Sequence, residues 1–188
     1  MIEREIKSLV SDGMLENFKN ILDSVATPVR IVQINYYFDT PDLILNSSGN
    51  TLRIRQKKDG LLLQYKYDKQ YTNKEKTCKE YEKSLTSFPL LIPSNDLPNF
   101  APDSTIFFTP VGNLITERID YIYNYTTVSL DENYYLGKCD NEIEVEFKQY
   151  EDAEKILKLL SIENIETSDA GKYSRFVNEL KRLQGDIM

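Results

Sequence analysis

In DNEIEVEFK, residues 140–148, Glu142, Glu144 and Glu146 alternate with Ile143, Val145 and Phe147. Successive side chains of a strand point to opposite faces, so this segment has one wholly acidic face and one wholly apolar face. The chain repeats the pattern with the sign changed. In TLRIRQ, Arg53 and Arg55 oppose Leu52 and Ile54; in LLLQYKYD, Gln64, Lys66 and Asp68 oppose Leu63, Tyr65 and Tyr67. EREIK, at the start, sets Glu3, Glu5 and Lys7 against Arg4 and Ile6, and in LITERIDY Thr116, Arg118 and Asp120 share a face. A half-exposed sheet ordinarily mixes signs along its polar face, because like charges at neighbouring positions repel. Here the signs are sorted strand by strand. At about 6 Å and an effective dielectric of about 20, each like-charge pair costs roughly 3 kcal/mol. Gathered glutamates therefore call for a cation, and oxygen-only ligands suit Mg2+ or Mn2+ rather than zinc. Gathered arginines and lysines call for a polyanion, and arginine's fork suits phosphate oxygens. Any one of these strands alone also reads as a solvated polar face; the set points elsewhere.

The rest of the chain supplies the frame. Residues 14–25 place Leu15, Phe18, Leu22 and Val25 on one helical face after a Ser11-Asp12-Gly13 start signal. Short segments rich in β-branched and aromatic residues follow, separated by turn signals such as Ser48-Gly49-Asn50 and Asp59-Gly60. Five of the seven prolines (Pro89, Pro93, Pro98, Pro102 and Pro110) crowd residues 89–110, which predicts a connection with a helical turn or two rather than a regular strand. Strands resume at NLITERIDYIY, TTVSLDENYYL and NEIEVEFKQ. The tail is helical, with one stripe of Ala153, Ile156, Leu157 and Leu160 and another of Tyr173, Phe176, Val177 and Leu180. This order suits an antiparallel α+β barrel better than alternating βαβ units.

Composition removes several chemistries. There is no histidine, so Ser–His–Asp and Cys–His nucleophiles, H-E-x-x-H zinc sites and phosphohistidine chemistry are excluded. Neither G-x-x-x-x-G-K-[ST] nor G-x-G-x-x-G occurs. A net charge of −7 argues against a general nucleic-acid binder, though not against a focused basic site. Cys78 and Cys139 make no metal-ligand spacing, no apolar run is long enough for a membrane span, and the charged opening offers no signal region. One domain over residues 1–188 in a reducing cytoplasm is expected.

EREIK at 3–7, YYFDT at 36–40, LRIR at 52–55, YKYD at 65–68, TERID at 116–120, SLDENYYLG at 129–137, EIEVEF at 142–147 and KYSRF at 172–176 resemble, in this order, the CYTH superfamily, also called triphosphate tunnel metalloenzymes. The likeness is greatest to its small bacterial members. It implies an α+β fold: a closed eight-stranded antiparallel β-barrel with a charged interior, helices packed outside and a C-terminal helix near one mouth. Closure would also remove the exposed strand edges. Glu3, Glu5, Glu144 and Glu146, with Glu142, match the family's metal-binding carboxylates. Lys7, Arg53, Arg55, Lys66, Arg118, Lys172 and Arg175 match its phosphate-binding cations. Glu3, Glu5, Glu144, Glu146, Lys66 and Arg118 form the expected catalytic set. Glu80 matches a tunnel glutamate. Asp131 lies in the family's L-D motif, where a structural role stands beside a functional one, and Tyr36, Tyr37 and Phe38 read as packing.

The activity this resemblance implies is hydrolysis of a terminal phosphoanhydride with Mg2+ or Mn2+. Inorganic tripolyphosphate is the first choice of substrate. The alternatives are a nucleoside or thiamine triphosphatase, a class IV-type adenylyl cyclase, or a non-catalytic polyphosphate- or nucleotide-binding module. The chain lacks tryptophan, and Thr51 stands where thiamine-specific relatives place a stacking aromatic. The expected partner is a small-molecule triphosphate, with no nucleic acid and no membrane, bound by a monomer or homodimer.

Overall fold

The computed structural model describes residues 2–71, 76–100, 105–123, 125–162 and 171–185. The alternating segments form strands β1 (Ile2–Val10), β2 (Val29–Asp39), β3 (Thr51–Lys57), β4 (Gly60–Tyr71) and β5 (Lys76–Leu85). They continue as β6 (Ile92–Pro93), β7 (Phe107–Tyr123), β8 (Thr126–Tyr135) and β9 (Lys138–Glu146). Pairing runs β2-β3-β4-β5-β1-β9-β8-β7 and returns from β7 to β2, so eight strands close into an antiparallel barrel. The two-residue β6 hangs outside on β7. Helices α1 (Asp12–Asp23), α2 (Ile44–Ser47), α3 (Tyr150–Leu159) and α4 (Lys172–Gly185) complete the described chain. None is long and apolar enough to cross a membrane.

The packing is inverted, as the resemblance implies. Ile6, Val128, Leu130, Ile143 and Val145 point away from the barrel axis and are covered by Phe18 and Leu22 of α1 and by Ala153, Ile156 and Leu157 of α3. On the opposite flank Phe38, Leu52, Ile54, Leu63 and Tyr65 are covered by Leu45 of α2 and by Ile92, Leu97 and Phe108. Each fully buried side chain of this kind contributes about 1.5–3 kcal/mol. The apolar residues therefore hold the helices on, and the charged ones are left to face the axis.

Two local expectations need correction. Helix α1 ends at Asp23, where the Ser24 hydroxyl donates to the Ile21 carbonyl at 2.6 Å; Val25 falls outside the helix and is 44% exposed. The proline-rich stretch holds one 3-10 turn, Ser94–Asp96, but β7 already begins at Phe107 and runs through Pro110. Proline is tolerated there because it faces Phe38 at a register shift, where the ladder is interrupted. Pro102 lies outside the described residues.

Candidate active site

Closure of the barrel turns the sorted charges onto one another around a cavity of about 300 Å3. The basic wall comes from β3 and β4. Arg53 donates from Nε to Gln64 Oε1 at 2.9 Å, and Arg55 from Nε to Asn35 Oδ1 at 3.1 Å. Neutral amides orient both guanidinium groups, and neither takes a carboxylate partner among the described residues. Burial, then the Arg53 and Arg118 charges, bring the Arg55 guanidinium down to about 9. That is the mark of a buried cation short of negative charge.

The acidic wall comes from β1 and β9, whose register sets Glu5 opposite Glu146 and Lys7 opposite Glu144. Lys66 donates to Glu3 at 2.7 Å and lies 3.7 Å from Glu80; Lys76 donates to Glu5 at 2.6 Å, and Lys7 stands 3.2 Å from the same oxygen. Arg118 grips Asp131 through two 2.6 Å bonds and also reaches Glu144. Burial pushes the Glu5 and Glu144 carboxyls up, but facing cations outweigh it and hold both well below the usual carboxylate range: Lys7 and Lys76 for Glu5, Lys172 and Arg118 for Glu144. Glu146 differs. It has no ion pair among the described residues, and burial, then Glu144 and Glu3, push its carboxyl up to about 7.

One end of the barrel is filled by α4. Tyr37, Leu114, Tyr135, Tyr173 and Phe176 pack together there, and a Cβ on Gly112, at φ +155, would stand 2.3 Å from the Phe176 ring. Only glycine lets that ring lie against β7. Polar contacts tie α4 down. Lys172 donates to Glu144 at 2.6 Å and Glu142 at 3.0 Å and lies 2.8 Å from Asp131. Arg175 reaches Asp140 at 3.0 Å and Glu142 at 2.5 Å. The Tyr173 hydroxyl donates to Asp39 at 2.7 Å, and the same carboxylate accepts the backbone N–H groups of Thr40, Leu45 and Asn46, so one buried aspartate pins α2 and α4 together.

Of the residues singled out in the sequence, Glu3, Glu5, Glu80, Glu144 and Glu146 line the cavity, as do Lys7, Arg53, Arg55, Lys66, Arg118 and Lys172. Glu142, Asp131 and Arg175 stand behind the wall, bound to one another's partners at the root of α4. Tyr36 and Phe38 pack on the outer face as expected, whereas Tyr37 points inward, with a buried hydroxyl that has no partner among the described residues.

Three lysines of the wall were missed: Lys57, which continues the Arg53 and Arg55 face of β3 and was legible in the alternation, and Lys69 and Lys76. Between Tyr67 and Gln70 the β4–β5 register shifts, and Asp68 adopts φ +53. This bulge resets the alternation. Asp68 swings out to pair with Lys79 at 2.6 Å, contrary to the expected shared face with Lys66, and Lys69 turns into the cavity. Lys76 also lines it. The one hint in YKYDKQ is Asp68 itself, a residue type that tolerates positive φ, and a lone aspartate is too weak a signal to place a bulge.

The donor set suits a hard divalent cation: oxygen ligands only, on a wall where Glu146 shows more negative charge than its neighbours neutralise. Among the described residues no three such side chains already stand as a metal cluster, since Glu3 and Glu5 lean on Lys66 and Lys76 and Glu144 on Arg118 and Lys172. A cation would take over carboxylates that lysines now hold.

A closed barrel with ionic walls, one basic and one acidic, defines a charged-tunnel protein. The chain belongs to the CYTH domain family, whose pattern matches residues 1–176. It is 29% identical over 189 residues to the Bacillus subtilis (strain 168) protein named "Putative triphosphatase YjbK", covering 96% of this chain and 97% of that one. Among solved structures it resembles a Bacillus halodurans "putative adenylate cyclase" (TM-score 0.68, 27% identity, 92% of this chain and 95% of that one). It also shares its fold with HpAC1 of Hippeastrum (TM-score 0.73, 22% identity, 94% and 95% covered), described as a "putative adenylyl cyclase" with a dominant triphosphatase activity.

Proposed function

We propose that the protein hydrolyses the terminal phosphoanhydride of a triphosphate, inorganic tripolyphosphate first among them. The observation that carries this reading is the pair Arg53 and Arg55: two guanidinium groups inside a tunnel, aimed by Gln64 and Asn35 and left without a carboxylate. Such a pair asks for a ligand with several anionic oxygens. The cavity, at about 300 Å3, sits at the bottom of the roughly 300–1,000 Å3 range of small-molecule sites. It is lined almost wholly by charged and polar side chains, which favours a bare polyphosphate over one carrying a base or a thiazole.

Arg53, Arg55, Lys66 and Arg118 would hold the chain extended and spread the charge that grows on the transferred phosphoryl group. Glu3, Glu5, Glu144 and Glu146 would hold Mg2+ or Mn2+, with Glu142 supporting them through Lys172. Bound there, such an ion supplies charge neutralisation at phosphate oxygens and an acidified water. With no histidine in the chain, a tunnel carboxylate is the natural acceptor of the water's proton. The triphosphatase activity named for the YjbK and HpAC1 relatives supports this class of activity.

The test is phosphate release from tripolyphosphate with Mg2+ or Mn2+, set beside ATP, GTP, thiamine triphosphate and pyrophosphate, with products identified. Turnover lost on adding EDTA is expected. A cyclic nucleotide from ATP, or tight binding without turnover under either metal, would replace hydrolysis by cyclisation or by sensing. Glu146→Gln is the sharpest site variant because no ion pair is broken. It should cost roughly 100-fold or more in turnover with a melting temperature no lower than the wild type's; full activity would place the metal elsewhere.

A further inference from the structure

The cavity's basic groups do not end at the arginines. At the end beside the start of α4 lie Lys7, Lys69 and Lys76, with Gly171 next to them: a Cβ there would stand 3.6 Å from the Lys7 ammonium. Lys7 and Lys76 share one oxygen of Glu5. Lys69 has no carboxylate among the described residues; its ammonium donates to the Thr51 hydroxyl at 3.0 Å. Its charged neighbours are the ammonium groups of Lys76, Lys7 and Lys66, with the Cys78 thiol beside them, so burial and then Lys76 and Lys7 bring it down to about 7. Lys7 also answers to Glu142 and Glu144, so the surplus positive charge falls on Lys69 and Lys76; beside the positive end of a helix they make a second anion subsite, one step further along β4 than Lys66.

We propose that Lys69, turned inward by the bulge at Asp68, forms with Lys76 and Lys7 a subsite that holds the inner terminal phosphoryl group of a triphosphate, and so selects three phosphates over two. This rests on the triphosphate reading above. Apart from the Thr51 hydroxyl, the charged groups that Lys69 meets are cations; the bulge that delivers it makes sense if an anion completes the site. Shorter anions would be satisfied by Arg53, Arg55 and Lys66 alone.

The experiment is calorimetric titration of tripolyphosphate and pyrophosphate, in EDTA to prevent turnover, into the wild type, Lys69→Met and Lys69→Arg. Loss of a charge-assisted bond predicts tripolyphosphate affinity weakened roughly tenfold to a hundredfold in Lys69→Met, and largely restored in Lys69→Arg. Pyrophosphate affinity should change by less than about threefold. Melting temperatures report whether each variant is folded, and Lys69→Met should melt no lower than the wild type. Tripolyphosphate affinity within about twofold of wild type in a folded Lys69→Met overturns the subsite and leaves the triphosphatase reading standing. Equal losses for both ligands overturn the terminal assignment. No binding of tripolyphosphate by the wild type rejects subsite and reading together.

Discussion

Lys69 holds an ammonium group among ammonium groups, and that has a consequence for stability. Its folded value, about 7, lies below its unfolded one. Between pH 7 and about 10.5 the unfolded chain therefore binds a proton that the folded chain refuses, and stability rises with pH through that window. Below pH 7 the cost is fully present; above about 10.5 it vanishes. Lys69→Met removes it, so the variant should be more stable than the wild type by on the order of 2–4 kcal/mol at pH 7, with the gap closing as the pH approaches 10.5. Thermal melts of both proteins across that range measure it, and a constant gap would mean that Lys69 is not the group responsible. A residue whose removal raises stability while weakening anion binding has been kept for its ligand.

Among the elements, α4 is the one whose sequence shows the stripe but not the destination. Tyr173, Phe176 and Val177 announce an amphipathic helix, and any apolar surface could have received them. The place is decided by a glycine in β7 and an aspartate at the end of β2: Gly112 makes room for the Phe176 ring, and Asp39 takes the Tyr173 hydroxyl. Gly112→Ala should push the ring aside and cost about 1–3 kcal/mol, seen as a lower melting temperature. Because Lys172 stands on the same helix and bonds Glu144, that variant should also weaken tripolyphosphate binding; a stable, tightly binding Gly112→Ala would show that the helix is not anchored there. The bulge of β4 is the opposite case. Its only sequence hint is the lone Asp68, and it becomes legible once β4 is paired with β5.

For the whole molecule, apolar side chains are spent on the outer wall, and the centre is held by opposed charges. Burial among like charges in the tunnel keeps Arg55 and Lys69 well below their usual values and Glu146 above its own. A bound polyanion relieves the cations, so ligand binding should stabilise the protein strongly. At a hundredfold excess over the dissociation constant, linkage gives about 2.7 kcal/mol, or roughly 5–10 °C in melting temperature for a chain of this size. Sodium chloride at matched ionic strength should not reproduce that rise. If it does, the effect is general screening and not occupation of the tunnel.

Alternation and charge sorting put the charged side chains of each strand on one face, because a strand's two-residue period assigns faces before any partner is known, while the inward turn of those faces, Glu80 and Lys172 came only from the resemblance to the CYTH superfamily. What the period cannot carry is a change of phase or a choice of partner. Tertiary pairing sent Lys69 inward and Asp68 outward, set Glu142, Asp131 and Arg175 behind the wall, and left Arg53 and Arg55 with amides in place of carboxylates. Those outcomes depend on register and distance across the barrel, which exist only after the eight strands have closed.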